Sequence, residues 1–175
     1  MKASVYIATS LDGFIAREDG DIGWLTSFAD QNAIQAYDDF IEGIDSIIIG
    51  RGTFETVLTF PDWPYQKPVF VLSGSLTHLP DKLRAQATLI SLKPAETLTY
   101  LSDLGYRSAY VDGGLVIQSF LDQDLIDDLT IATIPVLLGS GIPLFGRLSH
   151  DINFTHLRTN SFPNGLVRSY YRRLK

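Results

Sequence analysis

The sequence predicts an α/β fold, a three-layer sandwich with a mostly parallel central sheet and antiparallel C-terminal strands, in one domain over residues 1–175. Three observations predict it. Runs that are apolar on both faces, such as Ile47-Ile48-Ile49 and Val69-Phe70-Val71-Leu72, suit strands covered on both sides. These runs alternate with helix-like segments as far as Leu121, the order that builds a parallel sheet. From Leu125 the pattern turns strand-rich, with a hairpin signal at Pro163-Asn164-Gly165.

In chain order, Val5–Ala8 reads as the first strand, followed by the turn signal Asp12-Gly13 and then Phe14-Ile15-Ala16. A polar loop spans Arg17–Gly23, and a helix follows over Ala29–Gly43. Its apolar face is expected at Ala33, Ile34, Tyr37, Ile41 and Ile44, spaced by three or four. Asp45–Ile49 is the second strand, and Gly50 and Gly52 let the backbone turn. Thr53–Leu58 reads as a short helix with the Thr53 hydroxyl at its start. Two prolines stiffen the aromatic loop Phe60–Tyr65. Val69–Leu72 and Ala87–Leu92 are further strands, with a helical turn over Leu79–Leu83 between them. Pro94 opens a second amphipathic helix carrying Leu98, Leu101 and Leu104, and Gly105 closes it. Ser108–Val111 is a strand and Leu115–Leu121 a helix. Leu129–Leu138 is strand-rich but holds Pro135, which bends a strand or confines it to an edge. Asn153–Ser161 and Leu166–Leu174 complete the hairpin.

Composition removes several classes of function. A net charge of -6 disfavours a broad nucleic-acid surface, since phosphate backbones select basic faces. There are no cysteines, so disulfides, thiolate catalysis and cysteine-based metal sites are absent. His78, His150 and His156 lack metal-ligand spacing, so no metal is expected. No apolar run is long enough to cross a bilayer, and the N-terminal run is too short for a signal peptide. These features point to a soluble, cytoplasmic protein.

Three strand ends carry residues suited to anions. They are Gly50-Arg51-Gly52-Thr53, Ser73-Gly74-Ser75 and Asp112-Gly113-Gly114. Glycines open the backbone, and a helix start directs bare amides and the positive dipole end at one point. Arg51 adds a fork-shaped cation suited to phosphate. Each stretch by itself also reads as an ordinary turn. In an open α/β sheet, though, ligands gather at the carboxyl ends of the strands. A dinucleotide with a 2′-phosphate needs such a cradle plus a separate phosphate site. The GxGxxG fingerprint is absent, which disfavours an ordinary Rossmann domain.

Five segments carry a resemblance: Ala8–Ala16, Ile49–Thr53, Val71–Ser73, Val111–Gly114 and Pro135–Phe145. In this order they resemble the dihydrofolate-reductase-like superfamily, and within it the reductase domain at the C-terminus of the riboflavin-biosynthesis protein RibD. The resemblance implies an NADPH-dependent reductase and a homodimer. It places the 2′-phosphate near Arg51 and Ser73, and the pyrophosphate near Gly52, Thr53, Gly113 and Gly114. Gly50 and Leu72 belong to the same strand ends. It sets the nicotinamide against Ala8–Ile15, with Leu115 and Val116 beside it. The implied reaction reduces the ribosyl group of 5-amino-6-(5-phosphoribosylamino)uracil to a ribityl group.

The chain departs from true dihydrofolate reductases at their helix-borne acid. That place falls near Ile34, with Asp30 and Asp38 one turn to either side. Asp38 is the candidate substrate-facing acid; its other reading is a solvated helix face. Asp12 either bonds substrate or caps its own turn. Trp24 and the Phe60–Tyr65 loop either stack on a planar heterocycle or belong to the core. Reduction of another small carbonyl or imine, and a nucleotide-binding module without chemistry, stay open beside the riboflavin reading.

Overall fold

A computed structural model describes residues 1–174. The elements in order are β1 (Lys2–Thr9), β2 (Phe14–Ala16), α1 (Gln31–Glu42), β3 (Ser46–Gly50), α2 (Arg51–Val57), β4 (Val69–Leu72), β5 (Ala87–Ile90), α3 (Pro94–Asp103), β6 (Ser108–Asp112), α4 (Gly114–Asp122), β7 (Asp128–Thr133), β8 (Ile142–Pro143), β9 (Phe154–Ser161) and β10 (Val167–Arg173). Among the described residues an eight-stranded sheet runs β5-β4-β3-β6-β1-β7-β10-β9. The strands from β5 to β7 pair in parallel, and β10 pairs antiparallel with both β7 and β9. This is the mostly parallel sheet with an antiparallel C-terminal hairpin that the pattern predicts.

Alternation along β3 builds the three layers. Ile47 and Ile49 face one side and pack with Phe54 of α2, Tyr110 of β6, and Tyr37, Phe40 and Ile41 of α1. Ile48 faces the other side and packs with Leu101 of α3 and with Ile117 and Phe120 of α4. Successive side chains of a strand point to opposite faces, so one triplet serves both cores. Ile48 and Ile49 are fully buried.

Several boundaries differ from the sequence reading. Helix α1 starts at Gln31, because Asp30 caps it by accepting from the Ala33 amide at 2.9 Å. Ile34 is 47% exposed rather than part of the inner face. The inner face is set instead by aromatic packing: Tyr6 lies 5.8 Å from Tyr37 and 5.1 Å from Phe40, centroid to centroid. Strand β7 stops at Thr133, two residues before Pro135. Strand β5 stops at Ile90, short of Leu92. The loop before α1 folds into a 3-10 turn over Gly23–Phe28. The pairing of β2 with β8 also goes beyond the sequence reading, since elements of two or three residues carry no periodicity.

Candidate active site

Strands β3, β4 and β6 are parallel neighbours, so their C-terminal ends open at the same sheet edge. The turns after β3 and β6 press together there. Gly113 has φ +95, and a Cβ on it would collide with the Thr53 hydroxyl. A Cβ on Gly50 would come within 2.8 Å of Val116 Cγ2. Both positions therefore demand glycine, and both helices start beside each other. Neither α2 nor α4 receives a side-chain cap, which leaves their leading amides for a ligand or water. Thr53 is not the cap the sequence reading expected. Helix α2 begins at Arg51 with Gly50 as its N-cap, which puts Thr53 inside the first turn.

Arg51 reaches from α2 towards the loop after β4. Its Nη1 donates to Ser75 Oγ at 3.1 Å, and its Nε lies 3.6 Å from Glu55 Oε1. Ser73 Oγ accepts from the amides of Ser75 at 3.2 Å and Leu76 at 3.1 Å. Residues 51, 73 and 113 thus stand at one edge of the sheet, not on opposite sides of the molecule.

A cleft of about 810 Å³ opens at this edge. It is lined by Ala8, Ile15, Gly50, Arg51, Gly52, Thr53, Leu72, Gly113, Gly114, Leu115 and Val116, among others. Ser73 sits one residue beyond this lining, behind Leu72. Leu115 is 81% exposed, an apolar side chain at the cleft wall.

The other half of the cleft is aromatic. Tyr6 of β1, Tyr37 of α1, Phe60, Tyr65 and Tyr110 line it together with Asp112. The Tyr37 and Tyr110 rings lie 6.4 Å apart, and the Tyr110 hydroxyl donates to the Tyr6 carbonyl at 3.0 Å. Burial, reinforced by the Asp112 and Asp38 carboxylates, pushes the Tyr37 phenol up to about 12. Burial likewise raises Tyr65 and Tyr110, so these phenols stay neutral donors. Asp112 ends β6 in this wall, and its Oδ1 accepts from the Gly113 amide at 2.8 Å. Burial pushes its carboxyl up to about 6, while the Gly113 amide and the Tyr110 hydroxyl hold it from rising further. A carboxyl that gains and loses its proton near pH 6, in a cleft, fits acid–base work.

Residues 2–168 match the family described as the RibD C-terminal domain. The chain belongs to the RibD C-terminal domain family. It is 35% identical over 175 residues to YwjB of Bacillus subtilis (strain 168), an uncharacterised protein, with 98% of each chain covered. It is 38% identical to a Shewanella sp. PV-4 protein of known crystal structure, provisionally named for riboflavin biosynthesis; the whole of both chains superposes with a TM-score of 0.94. Dihydrofolate reductase from Enterococcus faecalis, solved with NADP(H), shares the fold at 17% identity and a TM-score of 0.71, covering 99% of this chain and 97% of that one.

Within this RibD C-terminal domain the two aspartates singled out from sequence lie away from the cleft lining. Asp12 clamps two loops. Its carboxylate accepts from Ser10 Oγ at 2.5 Å, Gly139 N at 2.7 Å and Leu138 N at 3.1 Å. The Ser10 hydroxyl first, then the two amides, lower it to about 2. Asp12 therefore bonds within its own turn, to Ser10, and across to the 138–139 turn. Asp38 is exposed on α1, and its neighbour Tyr37 is the residue that reaches the cleft. Trp63 lies in the core, with its ring 6.3 Å from Phe54, whereas Phe60 and Tyr65 of the same loop line the cleft. Asp112 was legible only as part of an anion-binding turn. Its position as the last residue of a strand buried over Ala109–Val111 is the signal that could have marked it.

Proposed function

We propose that this RibD C-terminal domain is an NADPH-dependent reductase of a small planar heterocyclic substrate. The convergence of three anion-suited strand ends on one cleft carries the reading. RibD C-terminal domains are reductase domains, which supports it. Reduction of the ribosyl group of 5-amino-6-(5-phosphoribosylamino)uracil is the reaction the resemblance implies. Another carbonyl or imine substrate is a second reading, favoured by the aromatic half of the cleft.

The residues present fit the cofactor. Arg51 and the Ser73–Ser75 hydroxyl pair would hold the 2′-phosphate, and the turns at Gly52-Thr53 and Gly113-Gly114 the pyrophosphate. Ala8, Ile15, Leu115 and Val116 would flank the nicotinamide. NADPH, when bound, supplies a hydride. The remaining work falls to the chain. Ile15, Ile22 and Leu25 give the cleft an apolar wall. Tyr37 and Tyr65 orient substrate through neutral hydroxyls. Asp112, whose carboxyl is raised to about 6, exchanges a proton beside the substrate half.

Incubating the protein with NADPH and each candidate substrate, and following NADPH absorbance, tests the reading. Turnover with one of them is expected. NADPH binding without turnover of any would leave a nucleotide-binding module, and failure to bind NADPH would refute the proposal. We also propose a homodimer, with the exposed outer strand β9 and its neighbour β10 as the partner surface. Sedimentation showing only monomer at micromolar concentration would reject that.

A further inference from the structure

An arginine stands buried beside the cleft without an acid to pair with. Arg168 of β10 is 3% exposed. No carboxylate pairs with its guanidinium among the described residues, and its Nε is shut away from solvent without an acceptor. Two rings hold the group instead: its central carbon lies 4.9 Å from the Phe162 ring and 5.6 Å from the Tyr6 ring, centroid in each case. Register explains the reach. Arg168 lies opposite Ala132 of β7, and Ala132 opposite Ala8 of β1, so the three side chains share one sheet face. The two alanines leave that face low, and the arginine extends across it to a ring two strands away. Tyr6, Ala8 and Leu25 all line the cleft. Burial raises the Tyr6 phenol and the Arg168 charge pulls it back, so the field of the cation reaches the cleft wall. A second donor is left unpaired in the same place. Trp24 packs in one cluster with Leu25, Phe162, Ala8 and Ala132, and its indole N–H is buried without an acceptor. Asp30, the carboxylate that follows this turn, is occupied by the Ala33 amide and the Asn164 side chain. Ring contact offsets part of the cost of burying a charge, yet an unpaired buried cation and an unpaired buried N–H both require an acceptor.

We propose that Arg168 is a specificity-determining residue of the aromatic half, binding an oxyanion, phosphate or carboxylate, that the substrate carries. This rests on the reductase reading, which gives Arg51 to the cofactor and leaves the Tyr6 end of the cleft to substrate. The guanidinium fork presents paired N–H groups that match two oxygens of either anion. The flanking rings fix its plane, so the donors are oriented before the ligand arrives. An uncharged analogue leaves those donors unpaired and loses the contact.

The test uses the full chain saturated with NADP+, titrated by calorimetry with two pairs of compounds: 5-amino-6-ribosylaminouracil and its 5′-phosphate, then uracil and orotate. Wild type is expected to bind the anionic member of at least one pair tenfold or more tightly than the neutral one, and that pair identifies the anion. Arg168→Gln is expected to abolish the preference while the neutral member binds within twofold of wild type, and Arg168→Lys to keep part of it. No preference in either pair overturns the proposal. So does a preference that survives in Arg168→Gln, or an equal weakening of both members, which is what a purely structural arginine would give. Binding of NADP+ reports the folding of each variant; if Arg168→Gln fails that control, Arg168→Lys carries the comparison, and a preference undiminished there counts against the proposal. If wild type binds NADP+ and none of the four compounds, the proposal falls while the cofactor assignment stands. If NADP+ itself does not bind, the reductase reading fails first and the proposal goes with it.

Discussion

Asp112→Asn separates the two consequences of a carboxyl whose ionisation the fold penalises. In the folded chain the Asp112 carboxyl is pushed up to about 6 from an ordinary value of 3.8. Ionisation is thus penalised in the fold and free in the unfolded chain. The raised value means that the stability linked to this group is fully present below the unfolded value and is lost as pH rises through about 6. Two units correspond to roughly 3 kcal/mol at high pH, taking about 1.4 kcal/mol per unit. Asparagine keeps an oxygen for the Gly113 amide and removes the titration. The measurement is urea unfolding of both proteins at several pH values between 4 and 8. The stability of the variant relative to wild type is expected to rise by about 2–3 kcal/mol across that window. Taking the difference between two proteins cancels the groups they share. A difference that stays flat to within about 0.5 kcal/mol would show that Asp112 is not desolvated, and the acid role argued from its burial would go with it. The same variant should lose turnover, and wild-type turnover should decline above about pH 6, as the proton leaves the carboxyl.

Three other outcomes follow from the site. Arg51→Ala should weaken NADPH about 10–100-fold and NADH hardly at all, since it removes a charged hydrogen bond of about 1.5–3 kcal/mol to the 2′-phosphate only; equal weakening of both cofactors, read by fluorescence titration, would count against the placement. Gly113→Ala should cost about 2 kcal/mol or more in thermal or urea unfolding, because an L side chain is strained at φ +95 and its Cβ meets Thr53. Asp12→Asn should speed hydrogen exchange at the Leu138 and Gly139 amides, which the carboxylate now holds; since this carboxyl is lowered to about 2, the clamp is in force above the ordinary carboxylate range and is lost only as pH falls through that value. Unchanged exchange at both amides would remove Asp12 from that role.

The sequence by itself determined the layers and the sheet. Isoleucines at 47, 48 and 49 leave a strand no solvent face, and alternating elements then dictate parallel neighbours. It also marked the turn glycines at Gly50 and Gly113, since few other residues survive such tight approach. Tertiary structure decided what those turns meet. Asp12 finds its partners 126 and 127 residues away, a distance that no local pattern encodes. Ile34 and Tyr37 share a helical period, yet edge-to-face packing against Tyr6 and Tyr110 chose Tyr37 for the inside. The Asp112 carboxyl is raised only because the fold brings it to the wall where Tyr37 of α1, Tyr65 and Tyr110 gather. Periodicity records which face of an element is apolar; which carboxyl loses its solvent depends on elements brought together from across the chain.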